Sequence, residues 1–158
     1  MNHVLSIFRD ILGLVYPDVC VTCGKHLPAG IRFICNKCRY DMPRTDFHKE
    51  EVNPVAQIFW GRVPVKHAAS LFYYTKGSRY RRLIHVIKYQ GRKDLGYEMG
   101  RLYGHELGKS PFSETDLVVP VPLHPRKIRK RGFNQSEWIG KGLAEALQKP
   151  MVTRELYR

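Results

Sequence analysis

The sequence predicts an α/β protein that carries a small cysteine-rich module near its N-terminal end. Two observations indicate this fold class. All four cysteines of the 158 residues fall between positions 20 and 38, so this part of the chain is chemically distinct from the rest. Beyond it, short apolar runs typical of buried strands alternate with longer segments of helical periodicity, which is the pattern of a parallel sheet covered by helices.

Three regions are predicted along the chain. A helix and the cysteine module occupy residues 1–46, a linker occupies 47–65, and the α/β domain occupies 66–158. The linker is predicted from its mixed polar composition and its helix-breaking prolines. Apolar residues at helical spacing predict a helix from Met1 to Tyr16, which packs on its own domain or, as the alternative, docks on a partner or a membrane.

The α/β domain is predicted to open with a strand and a helix. Residues 67–74, HAASLFYY, form a short apolar and aromatic run that is typical of a strand. A helix is predicted from Ser78 to Tyr89, because apolar residues recur there at intervals of four and three. The residues expected on its buried face are Tyr80, Ile84 and Ile87.

Another face of that helix is predicted to be cationic. Four basic side chains recur at i, i+4, i+7 and i+11, so they lie along one stripe. Like charges at this spacing repel one another mildly unless an anion covers them, although an ordinary solvated face is the alternative. The four residues are Arg81, His85, Lys88 and Arg92.

Two further helices and a second strand are predicted downstream. A helix from Asp94 to Leu107 begins at an aspartate cap and stops at Gly108. Glycines recur at every fourth residue along it, and they allow a neighbouring element to approach its backbone closely. Those glycines are Gly96, Gly100 and Gly104. Residues 117–119 predict a short buried strand, and residues 135–148 predict the last helix.

The charge of the chain favours a polyanionic ligand. Lysine and arginine number 27 against 14 acidic residues, which gives a formal net charge of +13. A solubilising basic surface is the alternative, but the clustering of the cations favours phosphate, nucleotide or nucleic acid. Neither a secretory signal nor an apolar run of the roughly 20 residues that span a bilayer is readable. A cytoplasmic location is therefore predicted, with peripheral attachment at the inner membrane as an alternative.

The four cysteines predict a structural zinc site. Cys20 and Cys23 form one C-x-x-C pair, Cys35 and Cys38 form another, and eleven residues separate the pairs. Each pair can direct two sulfurs at one ion, and two pairs complete a tetrahedral site with no open position for a catalytic water. Two disulfides are one alternative, which a reducing cytosol disfavours, and redox-active thiols are another, although these normally require only one pair. His26 is expected to be a bystander.

A proline-rich corner and a basic stretch precede the last helix, in the sequence VVPVPLHPRKIRKRGFNQSE from Val118 to Glu137. Proline removes backbone donors, so a strand cannot continue past Pro120 and the chain forms a stiff loop. Such a loop at the carboxyl end of a parallel strand is where α/β folds place ligands. The next helix is capped by Asn134, and its free amides favour an anion.

This segment therefore predicts a phosphate or pyrophosphate cradle. Mobile cationic side chains directly ahead of the helix raise the local positive potential. They are Arg126, Lys127, Arg129, Lys130 and Arg131.

The order of motifs in this chain resembles the ComF family of competence-associated proteins, which are related to type I phosphoribosyltransferases. The motifs are the double C-x-x-C, the helical IHVIKYQG, the DLVVPVPLH segment and RKRGFNQSE. The resemblance covers nearly the whole chain. It implies a zinc-ribbon-like module on a type I phosphoribosyltransferase-like domain with a parallel sheet, binding phosphoribosyl pyrophosphate with Mg²⁺. The phosphate contacts that it implies, together with the basic stretch, are Pro120, Val121, Pro122, Leu123, Lys88, Arg126, Arg129, Lys130, Arg131, Gly132, Asn134 and Gln135.

The sequence also departs from the phosphoribosyltransferase pattern. It contains no adjacent pair of aspartates and no T-T-G turn, which in those enzymes bind the ribose and its 5-phosphate. We therefore expect a chain that is truncated at Arg158 and that lacks the flexible hood of those enzymes. Such a chain is expected to be inactive as a transferase and poorly stable alone.

Three functions are predicted from these features. The first is a phosphoribosyltransferase-related protein, linked to competence and DNA uptake, that binds phosphoribosyl pyrophosphate or a related phosphate ligand. The second is a non-enzymatic accessory protein that binds single-stranded DNA or a competence helicase, because basic stripes with nearby aromatic rings suit a polynucleotide. The third is an assembly scaffold with incidental charge.

Overall fold

A computed structural model of the chain describes residues 18–153 and Leu156. The predicted helix from Met1 to Tyr16 lies outside these residues. Within them, the chain forms six α-helices and two 3₁₀ turns. The α-helices are α1 (Asn36–Tyr40), α2 (Pro54–Gln57), α3 (Arg81–Tyr89), α4 (Lys93–Leu107), α5 (Pro125–Arg131) and α6 (Gln135–Leu147), and the 3₁₀ turns are Phe47–Lys49 and Pro111–Glu114.

The predicted α/β class with a parallel sheet is wrong, and with it the sheet of a phosphoribosyltransferase-like domain. Over the described part of the chain, β-structure is confined to three isolated bridges. They join Val19 to His26 and Arg44 to Phe72 in antiparallel fashion, and Val118 to Met151 in parallel. The fold described here is therefore built from helices and irregular segments.

Prolines explain why both predicted strands stop at a single bridge. In the run 67–74, the Tyr73 amide donates to the carbonyl of Pro43 at 2.9 Å, but Pro43 has no amide with which to return the bond. At the second run, the Val118 amide donates to the Pro150 carbonyl at 2.9 Å and the Val118 carbonyl accepts from Val152 at 3.0 Å. Pro120 and Pro122 follow directly, so the ladder cannot extend.

The main core lies between the cysteine module and helices α3 and α4. The Tyr80 hydroxyl donates to the Cys38 carbonyl at 3.0 Å and ties the start of α3 to the module. The predicted regions 1–46 and 66–158 thus contribute to one core, while the division into three regions stays a prediction. The buried members of the core are Cys20, Val21, Phe33, Ile34, Cys38, Met42, Tyr80, Leu83, Val86, Ile87, Leu95 and Met99.

Helix α3 is turned slightly relative to the prediction. Tyr80 and Ile87 are buried as expected, but Leu83 and Val86 complete the buried face. Ile84 is only half-buried and lines a surface cleft instead. The inward face is therefore centred between Leu83 and Ile87, which leaves most of the basic side chains of α3 directed to the surface.

Helices α4 and α6 pack backbone to backbone through glycine, as the regular spacing of glycines predicts. A Cβ atom placed on Gly100 would lie 2.0 Å from the Ile139 carbonyl oxygen, and one on Gly142 would lie 2.0 Å from the Tyr97 carbonyl oxygen. A Cβ on Gly104 would lie 2.6 Å from the Cβ of Ala146. The close approach of the two helices thus requires the absence of side chains at these positions.

The predicted linker is pinned to the fold by a buried asparagine. Asn53 is 2% exposed, and its side-chain amide donates to the carbonyls of Glu50 and Ala68 at 2.9 Å each. Its oxygen accepts from the amides of Val55 and Ala56 at 3.0 Å each and so caps α2. The first part of the predicted linker 47–65 is therefore fixed to the rest of the fold by hydrogen bonds.

A buried histidine is expected to make stability depend on pH. His48 is 6% exposed, and its Nδ1 has no hydrogen-bond partner among the described groups. Burial lowers the pKa of His48, and the positive charges of Lys49 and Arg44 lower it further, whereas the negative charge of Asp46 raises it. An unfolded histidine binds its proton near pH 6.5, whereas the folded-state pKa of His48 is lower. Stability should therefore fall as the pH drops from about 6.5 towards the folded-state pKa, and it should not depend on His48 protonation at higher pH.

Urea unfolding at pH 7, 6 and 5 tests this expectation. The variant His48→Gln should lose less stability than the wild type between pH 7 and 5, because it removes the group that titrates. His105→Gln, at an exposed position on α4, is the matched control and should keep the wild-type slope. Equal slopes for His48→Gln and the wild type would contradict the assignment.

Candidate metal centre and basic cleft

The two cysteine pairs are brought together by tight turns. Gly24 adopts φ +75°, a conformation that glycine accepts readily, and its amide donates to the Cys20 carbonyl at 2.8 Å. In the second pair, the sulfur of Cys35 caps α1 by accepting from the Cys38 amide at 3.5 Å. The Cys35 amide in turn donates to the Cys20 sulfur at 3.4 Å and so joins the two turns.

The four sulfur atoms form a cluster that can hold a metal ion. All the Sγ atoms of Cys20, Cys23, Cys35 and Cys38 lie within 4.8 Å of one another. An ion bound tetrahedrally at 2.3 Å from each sulfur would place the sulfurs about 3.8 Å apart. The Sγ atoms of Cys23 and Cys35 are 3.8 Å apart, so this edge of the cluster already has the spacing of a tetrahedral site.

The protonation of the cluster is uneven. Burial raises the pKa of the Cys20 thiol, but hydrogen bonds from the amides of Cys35, Cys23 and Thr22 outweigh it and lower that pKa to about 6. Burial and the neighbouring thiols raise the pKa of Cys38. No disulfide joins the four cysteines. His26 is exposed and lies outside the sulfur cluster, as expected of a bystander.

A basic cleft of about 740 Å³ follows one side of α3. Three residues of the predicted cationic stripe line it, and so does Arg82, which the prediction did not include. Arg92 lies elsewhere, because its guanidinium donates to Asp94 at 3.1 Å and stands 5.0 Å from the centre of the Phe33 ring. The lining residues are Tyr74, Gly77, Ser78, Arg81, Arg82, Ile84, His85, Lys88 and Tyr89.

Aromatic rings stand beside the cations at both sides of the cleft. Arg81 Nε donates to the Tyr74 hydroxyl at 3.1 Å, and the guanidinium lies 5.7 Å from the centre of that ring. The Tyr89 ring contacts His85, with ring centres 4.9 Å apart. The Arg131 guanidinium lies 5.4 Å from the centre of Tyr89. A side chain from the second basic segment thus reaches the wall of the cleft formed by the first.

The proline corner is held at the start of α6. The side-chain amide of Asn134 donates to the Val121 carbonyl at 3.1 Å, while its oxygen accepts from the Ser136 amide at 3.0 Å. Pro120 is buried, and it approaches α6 at Gly140, where an added Cβ would lie 3.7 Å from the proline Cβ. Asn134 therefore caps the helix as predicted and also fixes the corner, so both ends of its side chain already have protein partners.

The basic stretch forms a short helix, α5. Helix α5 is capped at its start by His124, whose Nδ1 accepts from the Arg126 amide at 3.2 Å. It ends at Gly132, which adopts φ +77° and donates to the Ile128 carbonyl at 2.7 Å. Arg131 differs from the other cations of α5, because it is half-buried and donates to Gln135 Oε1 at 3.0 Å. The exposed ones are Arg126, Lys127, Arg129 and Lys130.

The structure thus joins only part of the predicted phosphate site. Arg131 is linked to α3 through Tyr89, the residue that follows Lys88, and to Gln135 through a hydrogen bond. Arg82 and Tyr74 are cleft residues that the sequence reasoning missed. The sequence contains a signal for Arg82: residues 52–93 contain no aspartate or glutamate but nine lysines and arginines, so the positive potential extends well beyond a single stripe.

Comparison of this chain with family models, with curated proteins and with solved structures returns no match in any of the three. The ComF resemblance therefore stays a prediction from the motifs. Among the described residues, no helix combines the length and the apolar character needed to cross a membrane.

Proposed function

We propose that this protein is a ComF-like, zinc-stabilised protein that binds a phosphate-rich ligand of the phosphoribosyl pyrophosphate type in the basic cleft of α3. The single observation that carries the proposal is the basic cleft of α3, where the Arg131 guanidinium of α5 lies over the ring of the lining residue Tyr89. A diphosphate needs several cations within one small volume, and the cleft supplies Arg81, Arg82 and Lys88 from α3.

The donor set of the metal centre supports zinc. Four thiolates in tetrahedral reach suit Zn²⁺, which prefers sulfur ligands and has no redox chemistry of its own. With all four positions filled by cysteine, the bound ion would stabilise the fold and leave no site for an activated water. Its role is to hold the module against α3, since Cys38 accepts the hydrogen bond from Tyr80.

The charge and shape of the cleft support a phosphate ligand. Arg81, Arg82 and Lys88 provide permanent positive charge, and Arg82 and His85 are exposed at its surface. Mg²⁺ would accompany a diphosphate as its counter-ion. The contacts proposed for Pro120 to Leu123, Gly132 and the exposed cations of α5 stay predictions of the resemblance. The proposal is one of binding, and no transfer step is assigned to these residues.

Single-stranded DNA is the second candidate ligand. It is favoured by the alternation of aromatic and cationic groups along the cleft, with Tyr74 beside Arg81 and Tyr89 between His85 and Arg131. Bases can stack on such rings without sequence preference while the cations neutralise the backbone. A competence helicase would be a partner of the same complex.

Calorimetry with phosphoribosyl pyrophosphate and Mg²⁺ tests the first proposal. Binding should weaken about tenfold or more in Lys88→Ala and in Arg131→Ala, because each removes a charge-assisted contact. Lys109→Ala removes the same charge from an exposed site just beyond α4 and is the control. Equal affinities of all four proteins would contradict a site in this cleft.

Salt dependence separates the two ligands. Affinity for an oligothymidine should fall steeply between 50 and 200 mM salt if several backbone phosphates are neutralised together. Absence of heat with phosphoribosyl pyrophosphate, combined with steep salt-dependent binding of the oligonucleotide, would favour the DNA-binding function. No binding of either ligand would overturn both.

A further inference from the structure

A cluster of exposed apolar side chains follows α2. Trp60 is 58% exposed, and the other four large apolar residues near it in the sequence are between 36% and 59% exposed. The surfaces of soluble proteins commonly expose single apolar residues, but five large apolar residues exposed within eight positions indicate a contact surface. We call this group the apolar patch, and its members are Ile58, Phe59, Trp60, Val63 and Val65.

The apolar patch is held in a defined conformation. Its chain continues from α2, whose start is fixed by the buried Asn53, and Ala56 of α2 is itself buried. The Phe59 amide donates to the Ala56 carbonyl at 3.0 Å, and the Val63 amide donates to the Phe59 carbonyl at 3.0 Å. These bonds hold the residues after α2 in consecutive turns, one of which contains Gly61 at φ +69°.

Positive charge accompanies the apolar patch. Arg62 lies within it and Lys66 borders it. Lys66 pairs with Glu114 at 3.2 Å, but both side chains are largely exposed, so this pair is weak. No aspartate or glutamate occurs in the sequence between positions 52 and 93. An occupant of the patch must therefore bury apolar side chains and carry negative charge.

We propose that the apolar patch docks on the surface of a membrane that contains anionic lipids. Tryptophan favours the boundary between headgroups and acyl chains, aliphatic side chains can enter the acyl layer, and adjacent cations attract anionic headgroups. A nucleic acid offers no apolar phase to Ile58 and the two valines. This binding is separate from the proposed ligand of the α3 cleft, because the patch and the lining of the cleft share no residue.

Tryptophan fluorescence gives a direct test, because the chain contains only two tryptophans, Trp60 and Trp138. In Trp138→Phe, which leaves Trp60 as the reporter, vesicles of phosphatidylcholine with phosphatidylglycerol should shift the emission to shorter wavelength. Lipids brominated on the acyl chain should quench it. Vesicles of phosphatidylcholine alone should bind at least several-fold more weakly. In Trp60→Phe, the emission of Trp138 should not shift.

A flotation assay with the same vesicles provides the matched controls. The affinity of the double variant Phe59→Ser/Trp60→Ser for the anionic vesicles should be lower by about tenfold or more. Tyr40→Ser, at a residue that is 89% exposed elsewhere, should bind as the wild type does. Lys88→Ala should also bind normally, which separates this surface from the cleft. If Trp138→Phe does not fold, the difference between the wild type and Trp60→Phe reports on the same site.

Three outcomes would overturn the proposal. Vesicle binding without any response of Trp60 would assign the contact to charge alone. A shift of Trp60 emission that grows with protein concentration in the absence of vesicles would assign the patch to a second copy of this chain. Failure of the anionic vesicles to bind at low salt would exclude a lipid surface.

Discussion

Chelation of the bound metal, or the substitution Cys38→Ser, is expected to abolish cooperative unfolding of the protein. Cys20 and Cys38 are each 1% exposed and belong to the core that also contains Leu83 and Tyr80. A structural zinc site contributes on the order of 10 kcal/mol to folding, which is comparable with the whole stability of a small domain. Circular dichroism during urea titration, with and without chelator, measures the loss.

The metal content of the protein distinguishes this role from adventitious binding. One equivalent of zinc should accompany the wild type and His26→Ala, because His26 lies outside the sulfur cluster. Cys38→Ser should carry much less. An unchanged unfolding transition after complete removal of the metal would show that the fold does not depend on it.

Substitution of Gly100 by alanine is expected to destabilise the protein by about 2 kcal/mol. The new methyl group would lie 2.0 Å from the Ile139 carbonyl oxygen and 3.1 Å from the Ile139 Cα, so the backbone of α6 must move away. Overpacking of this kind costs about 1–3 kcal/mol and sometimes more, which exceeds the roughly 1 kcal/mol that alanine gains over glycine in a helix. Thermal unfolding should report a melting temperature lower by several degrees.

The same helix offers a control for this prediction. A Cβ on Gly96 would lie 3.5 Å from the Cβ of Trp138 and 3.6 Å from a methyl carbon of Ile87, which are ordinary contacts. Gly96→Ala should therefore be neutral or stabilising by up to about 1 kcal/mol. If Gly96→Ala and Gly100→Ala were equally stable, the close crossing of α4 and α6 would be wrong.

Features that depend on neighbouring residues were predicted well. The predicted helices over residues 78–89, 94–107 and 135–148 correspond to α3, α4 and α6 with shifts of up to three residues at their ends. Asn134 caps α6, and the four cysteines form one cluster. The helices and the cap follow from side chains within one or two turns of the backbone, and the cysteine cluster follows from the C-x-x-C spacing within two pairs.

Features that need a distant partner were predicted poorly. The apolar run 67–74 has the composition of a strand, but it meets Pro43, which cannot return a hydrogen bond. Arg92 shares the spacing of the cationic stripe, yet Asp94 and Phe33 draw it away from the cleft. The contacts with Pro43 and Phe33 join residues far apart in the chain, so they cannot be deduced from the segment itself.

The sequence by itself determined the cysteine cluster, the three longer helices and the glycine positions at which two of them meet, because these depend on periodicity and on local hydrogen bonds. Only the tertiary structure decided that Arg131 reaches Tyr89 and that a cleft forms beside α3. It also decided that the residues after α2 leave their apolar side chains exposed. The physical reason is that side-chain packing and strand pairing join residues far apart in the chain, and the free energy of such contacts is not encoded in any single segment.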